Sequence, residues 1–308
     1  MKNNVLRMKF SEGVDEWLKF KKPQIKESTY FNYKQKINSR LMEQLGEMTL
    51  EELLKFDFNN FIENLLEKLS DKTVKDLVVV LKQILGFFEK KYEVNFKLDL
   101  ITSPKLRQKK IEIFEDYERR KLEQYCLDYE KARGIGILIS LYSGLRIGEV
   151  CALKWKNIDM RRRIITIDHT IQRIYLNKKD SKIIYTSPKT AKSIRIIPIS
   201  KVILKKLKEL YEEKQYSKEA FILTGDEERP MEPILYRYTY KKILNKIGIK
   251  FKKYHVLRHT FATRCVRIGM DTKSLSEILG HSNVSITLNL YVHPSMATKN
   301  KYINKLTI

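Results

Sequence analysis

The chain has 308 residues, enough for roughly two domains of ordinary size, and its 43% hydrophobic content supports real cores and excludes general disorder. No stretch of about 18 uncharged apolar residues occurs, and the opening Met1-Lys2-Asn3-Asn4-Val5-Leu6-Arg7 lacks the apolar core of a signal peptide, so the expectation is a cytoplasmic protein without a membrane span. Sixty-one Lys and Arg against 37 Asp and Glu leave a formal net charge of +24, a field suited to a polyanion such as DNA or RNA. The excess is uneven: residues 1–110 carry 22 basic and 16 acidic side chains, the remainder 39 and 21. Cys126, Cys151 and Cys265 are widely separated, show no CxxC spacing and read as buried, reduced thiols.

The first part reads as helices. Phe10, Val14, Trp17, Leu18 and Phe20 have near-helical spacing that ends before Pro23. Ser28 or Thr29 is placed to cap a second helix running through Tyr33, Ile37 and Leu41 towards Gly46. A third covers about 57–69, and Ser70 or Asp71 caps a fourth through Leu77, Leu81, Ile84, Leu85 and Phe88. Together they predict a small helical bundle over 1–92. Its basic residues Lys21, Lys22, Lys34, Lys36 and Arg40 crowd the first two helices and their connection, as a solvated face or a surface for a polyanion. Residues 93–112, with Pro104, Lys105, Arg107, Lys109 and Lys110, read as a basic linker. Residues 113–308 form the second domain with its C-terminal tail. There, helices are predicted over Phe114–Leu127 and Arg133–Leu141 and a strand over 164–167. A hairpin is predicted from 183–187 and 193–199, with its turn near 188–192, and helices return after Ser200. The fold class is mainly α with a small β-sheet.

Four segments carry chemistry. In Ser143-Gly144-Leu145-Arg146-Ile147-Gly148-Glu149-Val150 two glycines flank an arginine whose planar fork suits a phosphate, and Glu149 is spaced to orient it or to cap a helix. In Tyr254-His255-Val256-Leu257-Arg258-His259 a helix puts His255 and Arg258 on one face. His255 and His259 have zinc spacing, but Val256 stands where the protease motif needs Glu, and His259 reads as a packing or hydrogen-bonding histidine. Leu279-Gly280-His281-Ser282-Asn283 reads as a helix end and a new cap. Thr287-Leu288-Asn289-Leu290-Tyr291-Val292-His293 contains one of 17 tyrosines, which alone says little. No GxxxxGK[ST] loop and no obvious carboxylate cluster for two-metal chemistry is present.

The order and spacing of these segments over about 130–295 resemble the tyrosine recombinase, or phage integrase, family: an Arg in SGLRxGE, a hairpin Lys, HxLRH, GH and YxH. The resemblance implies that Arg146 and Arg258 clamp the phosphate, Tyr291 is the nucleophile, and His255 and His281 complete the site. It gives the hairpin lysine as Lys189, since Ser187-Pro188-Lys189-Thr190-Ala191-Lys192-Ser193-Ile194-Arg195 fits the family's T-K-T-x-x-S-x-R pattern; Lys182 and Lys192 lie in or beside the same hairpin. The implied chemistry needs neither cofactor nor metal. A tyrosine with a pKa of about 10 needs help near neutral pH, for which His255 is the candidate base and Lys189 the acid for the departing 5′ oxygen.

The resemblance further implies a C-shaped clamp on double-stranded DNA bearing a specific recombination site, with the 1–92 bundle as a core-DNA-binding domain. It also implies a homo-tetramer on synapsed DNA, and it is compatible with an accessory directionality protein. The bundle begins almost at Met1, so the expectation is a compact, Xer-like or mobile-element enzyme without an arm-binding domain. The competing expectations are a type IB topoisomerase-like enzyme and a catalytically silent DNA-binding regulator.

Overall fold

The computed structural model describes residues 5–106, 111–128, 133–177, 180–186, 194–292, 296, 300, 303 and 304. The chain divides into two compact units, Met1–Lys109 with Ile174–Lys182, and Lys110–Arg173 with Ile183–Ile308.

In the first unit, α1 (Phe10–Lys21) buries Phe10, Val14, Trp17 and Leu18 and gives way to a short 3-10 turn, Lys22–Gln24, at Pro23. Helix α2 (Glu27–Lys36) starts after Lys26, so neither Ser28 nor Thr29 is its cap. It continues through a wide π-type turn, Ile37–Leu41, into α3 (Met42–Leu45), with Ile37 and Leu41 both buried. Helix α4 (Leu50–Leu54) stands on a capping box, in which Thr49 accepts the Glu52 N–H and the Glu52 carboxylate accepts the Thr49 N–H. Asp57 caps α5 (Phe58–Lys68) and Ser70 caps α6 (Asp71–Tyr92), whose Leu77, Leu81, Ile84, Leu85 and Phe88 line the core. Each large apolar side chain so buried contributes about 1.5–3 kcal/mol before entropy is counted. Phe96 and Ile101 belong to this core as well. Asn59 fastens the strand of chain that carries them, donating to the Leu100 carbonyl and accepting the Thr102 N–H. Part of the segment predicted as linker is therefore packed structure.

The second unit is organised around α8 (Arg133–Ser143), which is buried along most of its length. Against it pack α7 (Asp116–Asp128), α9 (Ile147–Ala152), α10 (Lys201–Lys214), α11 (Pro233–Lys246) and α12 (His255–Arg267). Helices α13 (Thr272–Leu279) and α14 (Val284–Tyr291) close on α12 around Ala262, Cys265, Leu275, Leu279 and Tyr291. All three cysteines are buried and free.

The strands are β1 (Ile158–Asp159), β2 (Ile164–Ile167), β3 (Thr170–Tyr175), β4 (Ser181–Thr186) and β5 (Arg195–Pro198). They form a three-stranded sheet in the order β1-β2-β5 and a two-stranded sheet, β3-β4. Among the described residues, 183–186 and 194–199 do not pair as the predicted hairpin. Strand β5 instead pairs antiparallel with β2, Ile165 opposite Ile197 and Ile167 opposite Arg195. The physical reason is burial: β2 turns Ile165 and Ile167 inward and β5 turns Ile197 and Arg195 inward, whereas Ile183 and Tyr185 of β4 stay exposed. The predicted turn at 188–192 lies outside the described residues. Among the described residues no helix is long and apolar enough to cross a membrane.

Candidate active site

Helix α8 ends at Gly144, whose φ of +66° suits glycine and whose missing Cβ would lie 2.6 Å from Phe261 and 2.7 Å from Leu279. The chain can turn there without pushing α12 and α13 away. Two residues later Arg146 caps α9. Glu149, in the first turn of that helix, receives the Arg146 N–H at 2.9 Å on Oε2 and Nη1 at 2.8 Å on Oε1. Arg195 of β5 grips the same carboxylate with two bonds, Nη1 to Oε1 at 3.1 Å and Nη2 to Oε2 at 2.9 Å, and its Nε donates to the Ile278 carbonyl at 2.6 Å. Burial works against the Glu149 charge. The hydrogen bonds and charge of Arg195, with help from Arg146, prevail and hold its pKa at about 2. The sequence motif shows Arg195 only as a pattern residue; its strap across β5, α9 and α13 positions Arg146.

Arg258, one turn into α12, is 1% exposed. Its Nη1 donates to the Gly144 carbonyl at 2.9 Å, while Nε and Nη2 are buried with no partner among the described residues. A charged donor left in that state costs about 1–3 kcal/mol or more. Burial, and then the neighbouring Arg146 charge, pull its pKa down to about 9, so it remains a cation at neutral pH. A phosphate oxygen is the kind of acceptor that would satisfy both donors.

Gly280 ends α13 in the left-handed region, with φ +63°, and its Cα faces the Arg195 side chain closely enough that a Cβ would sit 3.1 Å from it. Its carbonyl lies 3.4 Å from Arg146 Nη2. His281 follows, with Nδ1 2.8 Å from the hydroxyl of the fully buried Thr287. Burial first, then the Arg258 and Arg146 charges, lower the His281 pKa to about 4. His255 opens α12 with an exposed side chain, yet burial of its inner edge, then His259 and the two arginines, lower its pKa to about 4 as well. Both rings are neutral at pH 7. Tyr291 ends α14, 7% exposed, and its Oη lies 2.7 Å from His259 Nδ1. Burial raises its phenol pKa while Arg258 and Arg146 act to lower it.

Arg146, His255, Arg258, His281 and Tyr291 thus gather in one place around two cations. Lys189 lies outside the described residues, as do Arg107, Lys109 and Lys110. In the first unit Lys22, Arg40 and Lys105 are exposed, and Lys21, Lys34 and Lys36 are half-buried, Lys36 lying 3.5 Å from Asp76. What sequence reasoning missed is His259 as the tyrosine's neighbour and Arg195 as Glu149's. The only sequence signal for either was its place inside a motif.

The sequence pattern of the phage integrase family matches residues 108–298, and that of the phage integrase N-terminal SAM-like domain matches residues 9–66. The chain belongs to the phage integrase family. Within that family it is 30% identical over 247 residues to a tyrosine recombinase XerC-like protein of Caldanaerobacter subterraneus, covering 73% of this chain and 63% of that one. It is 24% identical to the integrase of Staphylococcus phage L54a, covering 92% and 88%. It is 30% identical to the transposase from transposon Tn916 of Enterococcus faecalis, covering 55% and 45%. The chain therefore spans less than two thirds of the first of these relatives and under half of the third. Among solved structures, the Tn1549 transposon integrase in complex with a circular intermediate DNA shares the fold, with a TM-score of 0.77 at 21% identity over 97% of this chain and 100% of that one. A lambda integrase dimer bound to a core site does so with a TM-score of 0.69 at 15% identity, over 94% and 100%.

Proposed function

We propose that this integrase-family chain is a site-specific DNA recombinase that cuts one strand, holds it as a 3′-phosphotyrosine on Tyr291, and passes it to the 5′-hydroxyl of another. The observation that carries the reading is Arg258, a buried guanidinium with two donors unpartnered among the described residues and in the electrostatic field of Arg146 and Tyr291. A metal-independent phosphodiester exchange needs preorganised positive charge where the pentacoordinate transition state gathers negative charge. Arg258 and Arg146 supply it in a low-dielectric pocket, and Glu149 with Arg195 fixes the direction in which Arg146 points. His281 and His255, neutral rings at the rim, donate to the nonbridging oxygens. Lys189 protonates the leaving 5′ oxygen; this role rests on its motif alone. The phosphotyrosine keeps the energy of the broken bond, so no ATP is needed.

The partner we infer is double-stranded DNA carrying a recombination site, with the first unit as a DNA-binding domain through Lys21, Lys22, Lys34, Lys36, Arg40, Lys105, Arg107, Lys109 and Lys110. Support comes from the Tn1549 and lambda integrases, solved on DNA, the latter also as a tetramer bound to a Holliday junction. On this reading four copies act together in the cytoplasm, an arrangement compatible with an accessory protein that sets direction. The outcome is integration or excision of a mobile element, or resolution of DNA.

The test is a nicked half-site duplex taken from DNA flanking the gene. Wild-type protein is expected to form an SDS-resistant adduct, and Tyr291→Phe to bind equally in a gel shift but form none. Tight, specific binding by the wild type without an adduct would sink the recombinase reading in favour of a silent regulator. Relaxation of supercoils without strand exchange would make the enzyme a topoisomerase.

A further inference from the structure

We propose that His259, and not His255, accepts the Tyr291 phenol proton as the nucleophile attacks. This rests on the recombinase reading above. The geometry is direct: the ends of α12 and α14 bring His259 Nδ1 to 2.7 Å from Tyr291 Oη, within the range of a strong hydrogen bond. The two rings lie 5.7 Å apart and tilted by 51°, so the contact is made edge-on through the ring nitrogen and not by stacking. His255 sits one turn earlier with its ring 4.6 Å from that of His259 and nearly perpendicular to it; among the described residues it has no hydrogen bond to the phenol. A base must be within hydrogen-bond reach of the proton it removes, and of the two histidines His259 alone meets that condition.

The groups facing His259 are His255 and Arg258 on its own helix and Tyr291 from α14. Burial and the Arg258 charge lower its pKa from the ordinary 6.5, so at neutral pH the ring is uncharged. In the Nε2–H tautomer Nδ1 offers its lone pair to the phenol. As Oη forms its bond to phosphorus, its proton moves to Nδ1, and the phosphorus–O5′ bond breaks as the leaving oxygen takes the proton of the general acid that the recombinase reading supplies. In rejoining, the incoming 5′-hydroxyl returns its proton to that acid as its oxygen bonds phosphorus, the phosphorus–Oη bond breaks, and the phenolate takes its proton back from the His259 imidazolium. No oxidant or metal enters the balance.

Two measurements test this. In single-turnover adduct formation on a bound half-site from pH 5 to 9, the wild-type rate is expected to rise with pH and level off below pH 6.5. His259→Asn keeps an oxygen where Nδ1 stood but cannot take the proton. It should be slower by about 10²–10⁴-fold at pH 7 with DNA affinity unchanged, its rate still rising at pH 9. His255→Asn should retain the wild-type acid limb. The proposal is overturned if His259→Asn cleaves within a few fold of wild type, or if the acid limb vanishes in His255→Asn instead. Without DNA, ¹⁵N NMR of the histidines should find Nδ1 of His259 unprotonated and shifted by Tyr291→Phe; a protonated Nδ1 overturns the proposal even where wild type forms adduct. No adduct from wild type on a specifically bound site removes the recombinase reading and the base role together, whatever the NMR finds.

Discussion

Among the described residues, the side chains buried in the first unit are apolar, from Phe10 and Trp17 to Phe96 and Ile101, whereas the second unit also buries Glu118, Glu123, Glu149, Arg195 and Arg258. The first is the arrangement that maximises stability for its size, since removing apolar area from water has no opposing desolvation term. The second accepts that term. Glu118 and Glu123 are matched by Lys252 and Arg119, and Glu149 by Arg195, so most of its buried charges are paired. Arg258 is the exception, and it stands in the candidate site. The odd buried charge thus marks the candidate site, within a unit that also holds a large apolar core of its own.

The largest effect that would break or sharpen this contrast is expected from Arg258→Met. Adduct formation should fall by about 10²–10³-fold or more, as when a transition-state donor is removed. The thermal midpoint should hold or rise, because a buried charge with two donors unpartnered among the described residues is replaced by an apolar chain. A large drop in melting temperature would instead make Arg258 a structural residue like Leu81. Next comes Glu149→Ala, which leaves the Arg195 guanidinium buried without its carboxylate counter-charge and should cost about 3–5 kcal/mol in urea unfolding, with Glu149→Gln intermediate. Leu81→Ala, in the first unit, should cost about 2–5 kcal/mol through transfer and cavity terms while leaving the His259 Nδ1 resonance where it was. Movement of that resonance would show that the two units are not separable in this sense.

The smallest effect is with pH. Burial and neighbouring cations hold the folded pKa values of His255 and His281 near 4, below the ordinary 6.5. Between about pH 6.5 and pH 4 the unfolded chain binds protons there that the native chain does not, so stability should fall as pH drops through that window. Both rings retain solvent contact, which makes the slope shallow; the double variant His255→Asn, His281→Asn should flatten it further.

Legibility followed the range of the interactions. Helices α1, α5 and α6 were readable because their apolar spacing and their caps, Asp57 and Ser70, are local signals. Helix α4 carries an equally local signal, the Thr49–Glu52 capping box. The pairing of β5 with β2 was not readable from neighbourhood along the chain: β4 is closer in sequence, and only burial of Ile197 against Ile165 decides for β2. Likewise the motifs supplied Arg146, His255, Arg258, His281 and Tyr291 as a set. They did not say that His259 meets Tyr291 or that Arg195 meets Glu149, contacts spanning 32 and 46 residues. Such contacts are set by how helices and strands pack, which periodicity does not encode. Phe96 escapes a linker reading for the same reason, as its ring partners Phe58 and Phe88 lie in α5 and α6.

Gly280 governs how this site can drift over generations. Its left-handed backbone disfavours other residues, and a Cβ there would lie 3.1 Å from the Arg195 side chain, which would have to give way by a few tenths of an ångström. Asparagine, the usual substitute for glycine in that conformation, meets the second obstacle even where it passes the first. A side chain at this position therefore has to displace the arginine that grips Glu149, and a saturating library selected for strand exchange should be strongly enriched in glycine.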